Sequence, residues 1–401
     1  MSKLAIFGGT PVRSEPYPGW PTVSEKDEQG IAQVYLSGKW SKGEVAAEFE
    51  RRFSERTGVR HAIVTTSGTV SLEMILRGLD IGYGDEVILP PYTFIATLSS
   101  ILAVSATPVF ADIDPETYNI CPAAAESKIT DKTRAIIAVA VGGCPPSIDR
   151  LTELANRKGI YLILDAAQAV GAKWSGKDIA GFGDAAEFSC QNTKNLPSGE
   201  GGIITTNDDA LCSRIRSMLD GSHDKFYTDH NVTEFHASIL STQLDKLDDE
   251  IIRRERMAAY LDARLNMLPF VRPMKREKEV TVNAYHLYLM RFDSEMLAEK
   301  GLTRDMVLHA VNAEGIPLTP GYMPLYSFQS VNSDAVERMT GRKTDTSPLE
   351  NCERASYHEG AWLFQSVLLA DTEDMDDIAD ALEKVWENAG ELAARLGKES
   401  V

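Results

Sequence analysis

The sequence predicts an α/β fold, with a large domain built on a mostly parallel mixed sheet between helices and a smaller α+β domain after it. Two observations carry that expectation. Between about residue 60 and residue 206, short continuous apolar runs alternate with amphipathic stretches. Strands apolar on both faces belong to parallel sheets covered by helices on each side. Polar clusters then fall at the ends of those runs: Ser67-Gly68-Thr69, Pro91-Tyr92-Thr93, Asp165 to Gln168, and Ser189 to Lys194. In an open α/β sheet, ligands gather at the carboxyl ends of the strands.

Taken in order, His61–Thr66, Glu86–Leu89, Pro108–Asp112, Ala135–Val141, Tyr161–Asp165, Ala186–Ser189 and Gly202–Thr206 read as strands. Val70–Leu79 and Leu151–Lys158 read as helices between them, because their apolar residues recur at helical spacing. Beyond about residue 240 the texture changes. Gln243–Leu265 reads as a long charged helix, Tyr285–Phe292 as a strand, Thr303–Ala313 as a helix, Ile316–Leu318 as a strand, and Met375–Leu396 as a closing acidic helix. Residues 327–348, rich in Ser, Thr, Asn and Asp, are expected to form an irregular loop. The expected division is a large domain over 1–240, with its N-terminal segment, and a smaller α+β domain over 241–401.

The chain has 401 residues, 43% of them hydrophobic, with 41 basic and 59 acidic side chains and a net charge of −18. That acidity argues against nucleic-acid or anionic-membrane binding, which need basic patches. It leaves room for a local anion pocket. The apolar stretch at the amino terminus is too short for a signal peptide. No run has the length of a membrane span. The five cysteines are scattered, without metal-site spacing, as in a reduced cytoplasmic protein. Cys190 lies near Lys194, where a packing role and a catalytic one are both open.

Lys194 sits in Phe188-Ser-Cys-Gln-Asn-Thr-Lys194-Asn-Leu-Pro-Ser-Gly-Glu-Gly-Gly202, a polar, glycine-rich loop between two apolar runs. A loop lysine is often a solvated charge. Placed behind Asp165 at the end of another strand, it is also what pyridoxal phosphate chemistry requires: an amine to reach the cofactor aldehyde and a carboxylate to pair with the pyridinium nitrogen. Asp165 could equally cap the next helix. Ser67, Gly68 and Thr69 run from a strand into a helix, where backbone N–H groups and hydroxyls suit a phosphate. The same residues also make an ordinary N-cap. Tyr92 could stack on a cofactor ring or pack in the core.

These motifs, in this order, resemble the DegT/DnrJ/EryC1/StrS family of pyridoxal-phosphate aminotransferases of fold type I. The resemblance runs from Phe7-Gly-Gly-Thr-Pro-Val-Arg13 and Ser37-Gly-Lys-Trp-Ser41 through Gly84-Asp-Glu-Val87, Pro91-Tyr-Thr-Phe94, Asp165-Ala-Ala-Gln168 and the Lys194 loop. It continues in Thr233-Glu-Phe-His-Ala-Ser-Ile239 and Glu314-Gly-Ile-Pro317. It implies Lys194 as the covalent anchor, Asp165 as the pyridinium partner, Gln168 near the phenolic oxygen, Tyr92 against the ring, and Gly68, Thr69 and Ser189 on the phosphate. Relatives that dehydrate deoxysugars place histidine at the lysine position, so Lys194 implies transamination.

One departure stands out. The family commonly carries Asn-x-Arg-Met before the Thr/Ser-Glu-Phe segment, with the asparagine reaching the partner subunit's phosphate. Here the chain reads Asp229-His-Asn-Val232. An aspartate there would repel a phosphate, so either Asn231 takes over or the contact is lost.

The resemblance further implies a homodimer with shared active sites, a small-molecule amino donor (L-glutamine or L-glutamate), and a keto acceptor. The opening Gly-Gly-Thr-Pro-Val-Arg and the tail His358-Glu-Gly-Ala-Trp-Leu363 look most like the branch acting on keto-cyclitols of the scyllo-inosose type, or making 3-amino-5-hydroxybenzoate. A nucleotide-keto-sugar aminotransferase and a non-catalytic relative are the alternatives.

Overall fold

The structure is a computed structural model that describes residues 2–220 and 228–396. In chain order the strands of its first half are β1 (His61–Thr65), β2 (Glu86–Leu89), β3 (Thr107–Phe110), β4 (Thr133–Val139), β5 (Tyr161–Asp165), β6 (Lys173–Trp174), β7 (Lys177–Asp178), β8 (Ala185–Ser189) and β9 (Gly202–Thr206). The second half adds β10 (Val271–Pro273), β11 (Val280–Val282), β12 (Leu287–Phe292), β13 (Thr319–Pro320) and β14 (Gly360–Phe364).

The main sheet has seven strands in the order β1-β9-β8-β5-β4-β2-β3. All pairings from β8 to β3 are parallel, and β9 alone runs against its neighbours. Its strands are apolar on both faces, and one hydrophobic core lies on each side. Phe49, Phe53, Leu151 and Phe188 belong to one of them, and Leu72, Ile75, Ile101 and Ile215 to the other. The expected mixed α/β architecture of fold type I is present, with a second, antiparallel sheet of order β10-β12-β14-β13 in the C-terminal half. That sheet shares a third core with Leu261, Val307, Ile378 and Leu382. Among the described residues no helix is long and apolar enough to cross a membrane.

Several elements differ from the sequence reading. The charged helix starts earlier and spans Glu234–Leu265, so the expected boundary at 240/241 falls inside it. Ile316–Leu318 is not a strand. Ile316 and Leu318 are buried in the third core, and the sheet pairing is made one step later by β13. The closing helix is two, Thr372–Glu387 and Ala389–Leu396, broken at Asn388. Within 327–348 the chain forms a helix at Asp334–Thr340, capped by Ser333 and ended by Gly341 in a left-handed conformation. Helices at Glu44–Thr57, Ile95–Ala103 and Asp209–Asp220 help cover the main sheet, and the helix Glu25–Ser37 packs against Glu234–Leu265.

The first residues of the chain pack on the C-terminal layer. Leu4 lies in the third core. The fully buried carboxylate of Glu314 accepts hydrogen bonds from the amides of Ala5 (2.8 Å) and Val12 (3.1 Å) and from Lys384 (2.6 Å).

Candidate active site

At the carboxyl ends of β1, β5 and β8 lies a cavity of about 560 Å³, bordered by Ser67, Gly68, Thr69, Asp165, Gln168, Ser189 and Lys194. Three segments that are remote in sequence therefore meet around one space. Ser67 caps the helix Gly68–Gly78, its hydroxyl accepting from the amide of Val70 at 3.2 Å. The first amides of such a helix have no partner within it and point their positive end at the cavity. Gly68 is required by space: a Cβ there would stand 2.7 Å from Glu187 Oε2 and 2.9 Å from Ser189 Cβ. Gly202 is required likewise, since its Cβ would meet the Ser67 carbonyl oxygen at 2.4 Å. That contact explains why the glycine-rich motif ends where β9 passes the Ser67 turn.

Lys194 borders the cavity, and the protein around its amine lowers its pKa. Desolvation is the largest cause, opposed first by the charge of Asp165. Its loop is pinned at both ends: Cys190 donates its amide to Gly201 O (2.8 Å), and Trp20 donates its indole N–H to Lys194 O (3.2 Å). Asp165 is buried. Its Oδ2 accepts from the Thr97 hydroxyl at 2.6 Å and its Oδ1 from the amide of Ala167 at 3.3 Å. Gln168 is held from both sides, its Nε2 donating to the Tyr322 hydroxyl (3.2 Å) and its Oε1 accepting from the amide of Gly142 (2.8 Å). Cys190 is fully buried and desolvation pushes its thiol far up. It packs; it is no nucleophile.

Two expected residues are placed elsewhere. Tyr92 does not border the cavity. The chain bends over residues 91–93 after β2, and Tyr92 is buried in the core, where its ring centroid lies 5.1 Å from Tyr118 and 5.5 Å from Tyr322. Phe94, the N-cap residue of the helix Ile95–Ala103, is an exposed aromatic on the cavity rim. Asn231 does not border this chain's cavity either; its amide nitrogen donates to Leu219 O at 3.1 Å, and Asp229 is exposed.

Other walls come from residues the sequence reading did not single out. His286, Leu287, Tyr322, Trp362 and Phe364 reach the cavity from the C-terminal half, and Glu187 from β8. His286 is buried with Nδ1 unpartnered, and burial pushes its pKa well below the ordinary value. A second, smaller cavity at Glu255, Asp262, Arg276 and Tyr288 is polar, but its ionisable groups are tied to one another through Arg276–Glu255 (2.8 Å) and Tyr288–Asp262 (2.6 Å).

The set fits pyridoxal phosphate on its own geometry. A helix start with a glycine cradle suits the phosphate, a buried carboxylate suits the ring nitrogen, and a desolvated amine suits the aldehyde. Fold and site together define a pyridoxal-phosphate-dependent aminotransferase of fold type I.

Comparison with known proteins agrees. Residues 21–383 match the DegT/DnrJ/EryC1/StrS aminotransferase family, and the chain belongs to it. It is 34% identical to the L-glutamine:2-deoxy-scyllo-inosose aminotransferase of Streptomyces kanamyceticus, over 98% of this chain and 99% of that one. The crystal structure of 3-amino-5-hydroxybenzoic acid synthase covers 93% of this chain and 100% of its own, with a TM-score of 0.80 and 27% identity. DesI, solved in the presence of its TDP-sugar product, covers 98% of each chain with a TM-score of 0.84 and 29% identity.

Proposed function

We propose that the protein moves the amino group of an amino acid, L-glutamine or L-glutamate, onto a cyclic ketone of the scyllo-inosose type in the biosynthesis of an antibiotic-like secondary metabolite. The reading is carried by one observation: Lys194 and Asp165 border the same cavity at neighbouring strand ends. The acceptor class is supported by the 34% identity, over nearly the full length, to a keto-cyclitol aminotransferase.

In this reading Lys194 holds the cofactor covalently, and Asp165 pairs with its ring nitrogen. Gln168 faces the phenolic oxygen, while Ser67, Gly68, Thr69 and Ser189 hold the phosphate. Phe94 takes the ring-stacking place first expected of Tyr92. Pyridoxal phosphate, when bound, supplies the electron sink for charge left on the substrate α-carbon. Desolvation keeps a larger share of the Lys194 amine as free base, so that it can take the proton from that carbon. Asp165, fixed by Thr97 and Ala167, keeps its negative charge aimed at one edge of the cavity. The aromatic walls Phe94, Tyr322, Trp362 and Phe364 exclude water and shape the space for a ring-sized acceptor.

The working unit is a homodimer in the cytoplasm. Tyr35, Leu36 and Trp40 form an exposed apolar face, with Trp40 stacked on Tyr35 at 6.1 Å, which a second copy would cover. The five cysteines are unpaired, as in a reducing compartment.

The test is a set of keto acceptors offered to the aminated protein. L-Glutamine alone should discharge the visible band of the lysine-bound cofactor, and a keto-inositol should restore it. The likeness to DesI favours a nucleotide-linked keto-sugar as the second acceptor class. Recovery with that sugar and none with the keto-inositol would reverse the acceptor assignment.

A further inference from the structure

Glu187 borders the cavity and has no part in the roles above. Strands β5 and β8 run parallel with Asp165 and Glu187 as register partners, so both side chains leave the sheet on one face. Glu187 is 1% exposed and Asp165 is 5% exposed. Asp165 is served by the Thr97 hydroxyl and the Ala167 amide. Glu187 Oε2 is buried and has no hydrogen-bond partner. The same atom lies 2.7 Å from where a Cβ on Gly68 would stand, so the carboxyl reaches toward the Gly68–Ser189 cradle.

The other groups facing it are few. Lys194 and Cys190 come from the loop, the Ala167 amide reaches it from the turn after β5, the helix start at Gly68 adds no side chain, and Ile204 is its register partner on β9. Burial, then the Asp165 charge, push the Glu187 carboxyl well above the ordinary carboxylate range, with Lys194 acting the other way. Two buried carboxylates side by side share a proton, because ionising both costs far more than ionising one. The Thr97 hydroxyl donates to the Asp165 member of the pair.

We propose that Glu187 is a positioning residue that stays protonated beside Asp165 and donates a hydrogen bond to it, so that the pair offers the cofactor ring nitrogen one negative charge. This rests on reading the cavity as the cofactor site. The hydroxyl of Glu187 would fix the rotamer of Asp165 and so keep its carboxylate aimed at one edge of the cavity.

The experiment is infrared spectroscopy of the cofactor-loaded protein at neutral pH, with the carbonyl stretch of a buried protonated carboxylic acid as readout. The wild type should show that stretch, selective carbonyl-13C glutamate labelling should shift it, and Glu187→Gln should remove it. In Glu187→Gln the pH midpoint of the lysine-bound cofactor's visible band should stay near the wild-type value, since a neutral group replaces a neutral group.

Absence of the acid stretch, its shift by labelled aspartate instead, or a midpoint moved by more than about one pH unit (as loss of an adjacent charge would cause) overturns the proposal. Should Glu187→Gln fail to fold, the spectral difference between unlabelled and carbonyl-13C-glutamate-labelled cofactor-loaded wild type decides. A wild type without any visible band would defeat the cofactor reading itself, whereas a visible band without the acid stretch defeats only the role of Glu187.

Discussion

Replacing Gln365 with leucine tests how the Lys194 loop is supported from behind. Arg254, on the helix Glu234–Leu265, is fully buried. Gln365 Oε1 accepts from its Nε at 3.0 Å and from its Nη2 at 2.5 Å, while Glu250 accepts from Nη2 at 3.1 Å. The guanidinium stands 5.2 Å over the ring of Trp20, whose N–H holds the Lys194 carbonyl. Gln365→Leu takes the acceptor from two N–H groups of a buried cation, each bond being worth about 1.5–3 kcal/mol net. Removing one partner of a buried charged group costs about 3–5 kcal/mol, and Glu250 remains, so about 3–4 kcal/mol is expected.

Unfolding entropy of about 2.1 cal/mol/K per residue over 401 residues gives about 0.8 kcal/mol/K. Calorimetry of the cofactor-free protein should therefore show Tm lower by about 4–5 °C. The pair Arg254→Met with Gln365→Leu removes charge and acceptor together and should recover at least half of that loss. A shift under about 1 °C for Gln365→Leu, or a double variant worse than the sum of the singles, refutes the reasoning.

Lys194→Ala should abolish the visible band of lysine-bound cofactor and lower kcat by at least about 10⁴-fold, because anchor and proton carrier are lost together. Gly68→Ala puts a methyl 2.7 Å from Glu187 Oε2 and 2.9 Å from Ser189 Cβ. Overpacking of about 1–3 kcal/mol should weaken cofactor binding about tenfold or more in a fluorescence titration; unchanged affinity would sink the cradle.

The low pKa of buried His286 has a sign. Below about pH 6.5 the unfolded chain binds a proton that the folded one does not, so stability falls with falling pH by up to about 1.4 kcal/mol per unit. Urea midpoints at about pH 7.5 and about pH 5.5 should converge in His286→Gln relative to wild type. Equal slopes for the two proteins would show that His286 is solvated.

Much of the sheet was legible, because β1, β2, β5 and β9 are buried on both faces and read as unbroken apolar runs. The half of the site that lies on those strand ends was legible for the same reason: Ser67, Asp165, Gln168, Ser189 and Lys194 follow directly on strands. Tyr92 and Phe94 show the limit. Both are aromatics in the short bend between β2 and the helix Ile95–Ala103, and which of them faces the cavity depends on what Tyr118 and Tyr322 offer from far along the chain.

His286, Tyr322 and Trp362 carry no local spacing that marks a site, since they are brought together only by the pairing of β12 and β13 with β14. The helix Glu25–Ser37 was unread although Ser24 and Asp27 form its capping box, for it buries only Asp27 and Val34. Glu187 lies inside the run read as the strand Ala186–Ser189 and carries no local mark of a site. Its pairing with Asp165 is a matter of register, which sequence alone does not set.

The cavity is walled by two separate contributions: strand ends and the turns that follow them between residues 67 and 200, and mainly aromatic and histidine side chains between 286 and 364. A lineage can thus exchange Tyr322, Trp362 or Phe364 and remould the space for a new acceptor while the amine and its opposing acid stay untouched. The same division tells an engineer where to randomise, and it accounts for one scaffold serving rings as unlike as the cyclitol and sugar substrates its relatives are named for.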